Sequence, residues 1–149
     1  MFREILVSPE ALLEDALVGV VYGLSDPRAP SRIAYIGMTR SHVLHRFIEH
    51  LRDAHRVARG IPVSPSSKVQ VAQRRKEKSL WILGLVEAGL LPALSLIERP
   101  DRPTQLLRRE RDWTIHLQRQ GMAWLNCEIV TDEMVNRRIA EFLQKKAAA

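Results

Sequence analysis

The apolar positions of this chain change period several times, and each change marks an element. Residues 17–24, LVGVVYGL, place Val18, Val20, Tyr22 and Leu24 at period two, which predicts a strand with those four on one face. SDPRAPS, rich in Pro, Asp and Ser, reads as a turn or loop. RIAYIGM predicts a second strand with Ile33, Tyr35 and Gly37 on one face, and so short a connection makes the pair an antiparallel hairpin. From residue 41 to about residue 59, Val43, Leu44, Phe47, Ile48, Leu51, Ala54 and Ala58 fall at helical spacing, with Ser41 as the expected N-cap.

GIPVSPSSK ends that helix as the longest loop. KEKSLWILGLVEAG predicts a mostly buried helix, stopped at Gly89 with Pro92 beyond it. PALSLIE is a third short strand. RPDRPTQLLRRERDWTIHLQRQG is a helix, capped by Asp101 or Thr104 and closed by Gly121. AWLNCEI is short and extended or irregular. TDEMVNRRIAEFLQKK is a final helix, with Asp132 and Glu133 in its first turn and lysines at its end, as the helix dipole favours. The terminal AAA is expected to fray. Ahead of the first strand, SPEALLEDAL is a short helix or a loop, with Ser8 as N-cap and Pro9 at the first helical position.

The order is therefore β-β-α-α-β-α with a C-terminal helix added. It predicts an α/β chain of the α+β type: a small, mostly antiparallel three-stranded sheet flanked by helices. The 149 residues suit one domain, 1–149, built on one core. No apolar run reaches the ~20 residues of a membrane span, and MFREILVSPE, charged at Arg3 and Glu4, does not read as a signal peptide.

Charge narrows the partner. The formal net charge of +6 favours a polyanion, nucleic acid first and an anionic membrane surface second. The single Cys127 excludes an internal disulfide and a cysteine-based zinc site, and suits a reduced, cytoplasmic setting.

A few positions break the bland pattern. On a helical wheel, Leu106, Leu107, Trp113 and Leu117 form an apolar stripe with Glu110 in its middle. A carboxylate there costs several kcal/mol unless it is paired, protonated or bound to a metal. A buried ion pair with an arginine is the structural alternative. Arg46 and His50 are one turn apart on the rim of the first long helix, whereas His55 falls inside its apolar arc as a packing histidine. Tyr22 and Tyr35, the only two tyrosines, lie on neighbouring strands, where cross-strand packing is the ordinary use of Tyr. Asn126 follows AWL as a half-buried amide or a turn residue.

These residues, in order, carry a resemblance. VVY at 20–22, YIG at 35–37, RFIEH at 46–50, Glu110 and LN at 125–126 make the chain similar to the GIY-YIG nucleases over residues 17–127, with 128–149 as an added C-terminal helix. LVEAGLLPALSLIE and RERDWTIHLQRQGMAWLN add to the likeness. The chain departs in having Val-Val-Tyr at the first motif, with Gly19 one place earlier, and a somewhat long loop between the tyrosines.

The resemblance implies metal-dependent hydrolysis of phosphodiester bonds in DNA. Glu110 would hold one Mg²⁺ or Mn²⁺ ion. Tyr22 or Tyr35 would deprotonate the attacking water, with family precedent leaning to Tyr22. Arg46 would hold the scissile phosphate, and His50 would assist proton transfer or fix a tyrosine. Asn126 would support the metal site, and Gly37 would let the backbone pass close to it. A hard cation is satisfied by one carboxylate, waters and substrate phosphate, which accounts for the absence of an acidic cluster.

The basic runs QRRKEK and RRER supply candidate DNA clamps at Arg74, Arg75, Lys76, Arg108 and Arg109, with Arg40 as a further one. No separate DNA-reading module is evident, so a protein partner or a homodimer is a candidate source of specificity. The alternative is a nucleic-acid-binding or accessory protein on the same scaffold that does not cut. A basic protein bound to a membrane surface or to a protein is the least supported.

Overall fold

The structure, a computed structural model, describes residues 3–4, 17–61 and 68–148. Residues 8–16 of the candidate helix at 8–17 and most of the loop at 60–68 lie outside these residues. Among them, strand β1 is Arg3–Glu4, β2 is Val18–Ser25, β3 is Ile33–His42 and β4 is Ala93–Glu98. The helices are α1 (Val43–Ala58), α2 (Val69–Glu87), α3 (Leu106–Arg119) and α4 (Asp132–Ala148). All strand pairs are antiparallel, in the order β1-β4-β2-β3. The expected three-stranded sheet is β2, β3 and β4. The two-residue β1, which is too short to leave a periodicity, lengthens it at the edge of β4. No helix among the described residues is long and apolar enough to cross a membrane.

The central strand β2 is covered on both faces. Val20, Tyr22 and Leu24 pack with Val43 and Leu44 of α1, and Trp81 of α2 joins that side. Val21 packs on the other side with Ile33, Ile36 and with Leu106 and Leu117 of α3. The sheet is thus a middle layer between the α1–α2 pair and α3, and double burial explains why VVYGL is nearly continuously apolar.

Bulges change two expected faces. The register of β2 with β3 slips between Val18 and Val20, so Leu17 joins Val20, Tyr22 and Leu24 in the core while Val18 is left exposed. The other bulge lies near the start of β3. Leu24 pairs with Tyr35 and Ser25 with Ile33, which leaves Ala34 as the extra residue. Ile33 therefore packs towards α3, while Tyr35 faces the α1 side with Tyr22. Ile33, Tyr35 and Gly37 do not share a face as their alternation predicted.

The helix starts also differ in detail. β3 runs on to His42, whose Nδ1 accepts the Leu44 amide at 3.2 Å and caps α1. Ser41 does not cap, because its hydroxyl pairs with Thr39 Oγ1 at 3.0 Å. α2 begins at Val69, about two turns before the predicted start at Lys76, and it buries one face, through Lys78, Ser79, Ile82 and Leu85, rather than most of its length. α3 is entered through a 3₁₀ turn, Pro103–Gln105, and has no side-chain cap, so neither Asp101 nor Thr104 serves. At the end of α4, Ala147 and Ala148 are helical rather than frayed.

After α3 the chain returns along the free edge of β3. The Ala123 amide donates to Ile33 O at 2.8 Å and the Leu125 amide to Ala34 O at 3.1 Å. Asn126 completes this run with its side chain. Its Oδ1 accepts the Ile36 amide at 2.9 Å, and its Nδ2 donates to Ile36 O at 2.8 Å. One carboxamide thus imitates a paired strand residue and covers an edge that would otherwise be open.

Asn126→Ala removes both bonds and strands the Ile36 amide and carbonyl. It is expected to destabilise the fold by about 1–3 kcal/mol in urea denaturation. An unchanged midpoint would show that the amide does not hold this edge.

Candidate active site

Tyr22 is the most constrained side chain of the region. It lies in the middle of β2, is 0% exposed, and faces Gly37 across the β2–β3 pair. A Cβ on Gly37 would stand 2.5 Å from Tyr22 Oη and 2.6 Å from Cζ. Gly37 is therefore required by the phenol ring laid over it, not by backbone conformation. The hydroxyl reaches His50 Nε2 at 2.6 Å.

His50 does not sit on the border of the apolar arc. It is 0% exposed, on a stripe with Val43, Leu44 and Ala54. His55, expected to pack, is exposed, and Ile48 is 46% exposed. α1 contacts both the sheet and α2, and this turns its buried face towards His50. Tyr22, Tyr35 and His50 form an aromatic group, with centroids 5.4 to 6.5 Å apart. Burial and the nearby Lys78 and Arg46 charges hold the His50 ring neutral.

Beside this group lies a cavity of about 690 Å³. Tyr35, Arg46, Glu110 and Asn126 line it. Tyr22 and His50 stand behind Tyr35 and do not. The six residues singled out from the sequence thus converge on one place, four on the wall and two in support, with Gly37 beneath Tyr22.

Glu110 is half-buried on α3 and forms no ion pair among the described residues, so the buried-pair alternative is not what this fold contains. Burial raises its pKa, while the Arg46 charge and the Met38 amide pull it back. Its stripe is also narrower than the wheel suggested, since Leu107 is 63% exposed. Arg46 pairs with Glu49 at 2.6 Å. No group of three or more His, Cys, Asp or Glu is poised to hold a metal among the described residues.

Both phenols resist ionisation. Burial, with the neighbouring Tyr35, raises Tyr22 well above the usual tyrosine value. Burial and the Glu110 charge push Tyr35 up to about 12, against the pull of Arg46 and Arg75. Nearby Arg46 does not bring either phenol down towards neutrality.

The candidate clamps divide. Arg74, Arg75 and Arg108 line the cavity, joined by Arg111. Arg74 also donates to Trp124 O at 3.1 Å and pairs with Glu77 at 2.8 Å. Arg109 is held by Glu98 at 2.6 and 3.0 Å and by Asp112 at 3.2 Å, away from the cavity. Arg40 and Lys76 are exposed and do not line it.

Lys78, which the sequence marks only as the end of the basic run QRRKEK, lines the cavity with its Nζ 4.5 Å from the centroid of the Tyr35 ring. The sign was available. Lys78, Ile82 and Leu85 lie at i, i+4 and i+7 on α2, so a cation heads an apolar stripe as Glu110 interrupts one on α3.

No family model, curated protein or solved structure matches the chain.

Gly37→Ala is expected to lower stability by about 1–3 kcal/mol through overpacking against Tyr22, read by thermal melting. Near-ultraviolet titration of the folded chain is expected to show no phenolate below about pH 11. The unfolded chain ionises first, so stability falls as pH rises past about 10, less steeply in Tyr35→Phe. A phenolate signal near neutrality would overturn this picture of both tyrosines.

Proposed function

We propose that this chain is a metal-dependent endonuclease of the GIY-YIG type, cleaving phosphodiester bonds in DNA. The observation that carries the reading is Glu110. Its carboxylate, half-buried and without an ion pair among the described residues, opens on a cavity whose other charged lining residues are all cations. An anionic strand is attracted to such a wall, and a lone carboxylate facing it suits a divalent cation.

Glu110 would hold one Mg²⁺ or Mn²⁺ ion, completed by waters and a substrate phosphate oxygen. When bound, that ion supplies charge stabilisation to the phosphate and its leaving oxygen. Arg46 would hold the scissile phosphate, with its guanidinium held by the ion pair to Glu49. Tyr35, on the cavity wall, is the tyrosine that meets the attacking water, in place of the Tyr22 favoured by family precedent. Tyr35 remains a protonated phenol that orients the attacking water by a hydrogen bond, and the proton the water loses passes to bulk solvent. Tyr22 and His50 hold the Tyr35 ring from behind, and Asn126 fixes the strand that carries it.

A non-cutting nucleic-acid-binding protein is the second reading. It is favoured by the same basic wall and by phenols held protonated, which a base must overcome.

The test is incubation with plasmid, branched and single-stranded DNA, with and without Mg²⁺ or Mn²⁺. Metal-dependent cleavage is expected, reduced about a hundredfold or more in Glu110→Gln, Arg46→Ala and Tyr35→Phe with folding retained. Cleavage at the parent rate by Glu110→Gln rejects this site. DNA binding with no cleavage under either metal establishes the second reading.

A further inference from the structure

Of the cations on the cavity wall that the mechanism above leaves unused, Lys78 alone is buried. Lys78 is 5% exposed and heads the buried stripe of α2. Its ammonium rests on the face of Tyr35, 4.5 Å from the ring centroid. It forms no ion pair among the described residues, whereas Arg46 is matched by Glu49 and Arg74 by Glu77. The groups that face it are Arg46, His50 and Asp53 from α1, Arg75 from its own helix and Tyr35 from β3, with Glu110 of α3 on the same cavity.

A nearly buried ammonium without an anionic partner destabilises the folded chain. The ring face of Tyr35 offsets only part of that cost. Arg46 and Arg75 add to it by repulsion. Burial and that repulsion bring Lys78 down to about 8, against the opposing pull of Asp53. An anion entering the cavity would relieve all of these terms at once.

Resting on the reading of this cavity as a nucleic-acid site, we propose that Lys78 is a phosphate ligand. Its ammonium, carried by α2 onto the face of Tyr35 beside Arg46, pairs with a backbone phosphate of the bound strand. Lys78 then completes a two-cation phosphate seat with Arg46, drawn from two different helices. The phosphate matches a charge that the folded chain leaves unmatched.

The charge balance gives this role a pH signature. In the free chain Lys78 sheds its proton around pH 8, and pairing with a phosphodiester restores it. Binding above that pH requires proton uptake and weakens as pH rises. Stability moves the other way. The folded value lies below the unfolded 10.5, so the unfolded chain holds more protons between the two and stability gains as pH climbs through that window. His50 is neutral throughout the window, and Tyr35 titrates above it.

The experiment uses the full chain carrying Cys127→Ser, which removes the thiol on the cavity wall. Binding of a labelled DNA duplex is followed by fluorescence anisotropy in EDTA, from about pH 7 to about pH 9.5. The parent, Lys78→Met and Lys78→Arg are compared, with melting of each and Mg²⁺-dependent cleavage in parallel. Lys78→Met is expected to bind about tenfold more weakly or worse at the lower pH. It should lose the decline in affinity at high pH, yet melt at or above the parent's temperature. Lys78→Arg should recover affinity.

Unchanged binding by Lys78→Met overturns the proposal. So does a loss of binding that comes with a lower melting temperature and is not recovered by Lys78→Arg. A parent that binds DNA through Lys78 but cleaves none removes the nuclease reading and leaves the ligand in place. A parent that binds no DNA overturns both.

Discussion

The phenol ring of Tyr22, laid flat over the missing side chain of Gly37, is the constraint on which this site depends. The ring is rigid, and Oη can reach His50 at 2.6 Å only because no Cβ intervenes. That one contact ties the central strand to its neighbour and to α1. It fixes the rotation of α1, and with it the turn on which Arg46 emerges. It also supplies the surface against which Tyr35 stands. The Tyr35 side of the cavity wall is thus set by a packing arrangement behind it.

Charge distribution sorts the polar groups of the chain by role. Arg109 is enclosed by Glu98 and Asp112, in hydrogen bonds that a structural ion pair requires. Glu110 and Lys78 are the opposite case. Each interrupts or heads an apolar stripe, and each lacks an ion-pair partner among the described residues. Their environments push them towards neutrality, the carboxyl upward and the ammonium downward. A fold that keeps such groups at one cavity carries a cost in stability, and binding of a phosphate and a cation there would relieve it.

Much of the framework was legible in the sequence because it rests on period and punctuation. The strand character of β2 and β4, the Pro-rich turn between β2 and β3, and the glycine stops after α2 and α3 are local facts, and the structure keeps them. What failed was decided by neighbours. Ala34 bulges because the register with β2 slips by one residue, and no local pattern announces a slip. His50 and His55 exchanged places because α1 packs on two elements at once, whereas a wheel shows only one helix. Ser41 lost its cap to His42 because β3 runs further than its apolar residues do.

The element types, the basic surplus, and the presence of a carboxylate in an apolar stripe all follow from residue order alone. Residue order also marks Tyr22, Tyr35, Arg46, His50, Glu110 and Asn126 as residues out of the ordinary. It took the packing of distant elements to make Tyr35 line the cavity while Tyr22 is sealed behind it, and to pair Asn126 with the edge of β3. The same packing brings Lys78 of α2 onto the Tyr35 ring. Those outcomes depend on burial and on contacts between residues far apart in the chain, and desolvation acts on a charge only once other elements have closed around it.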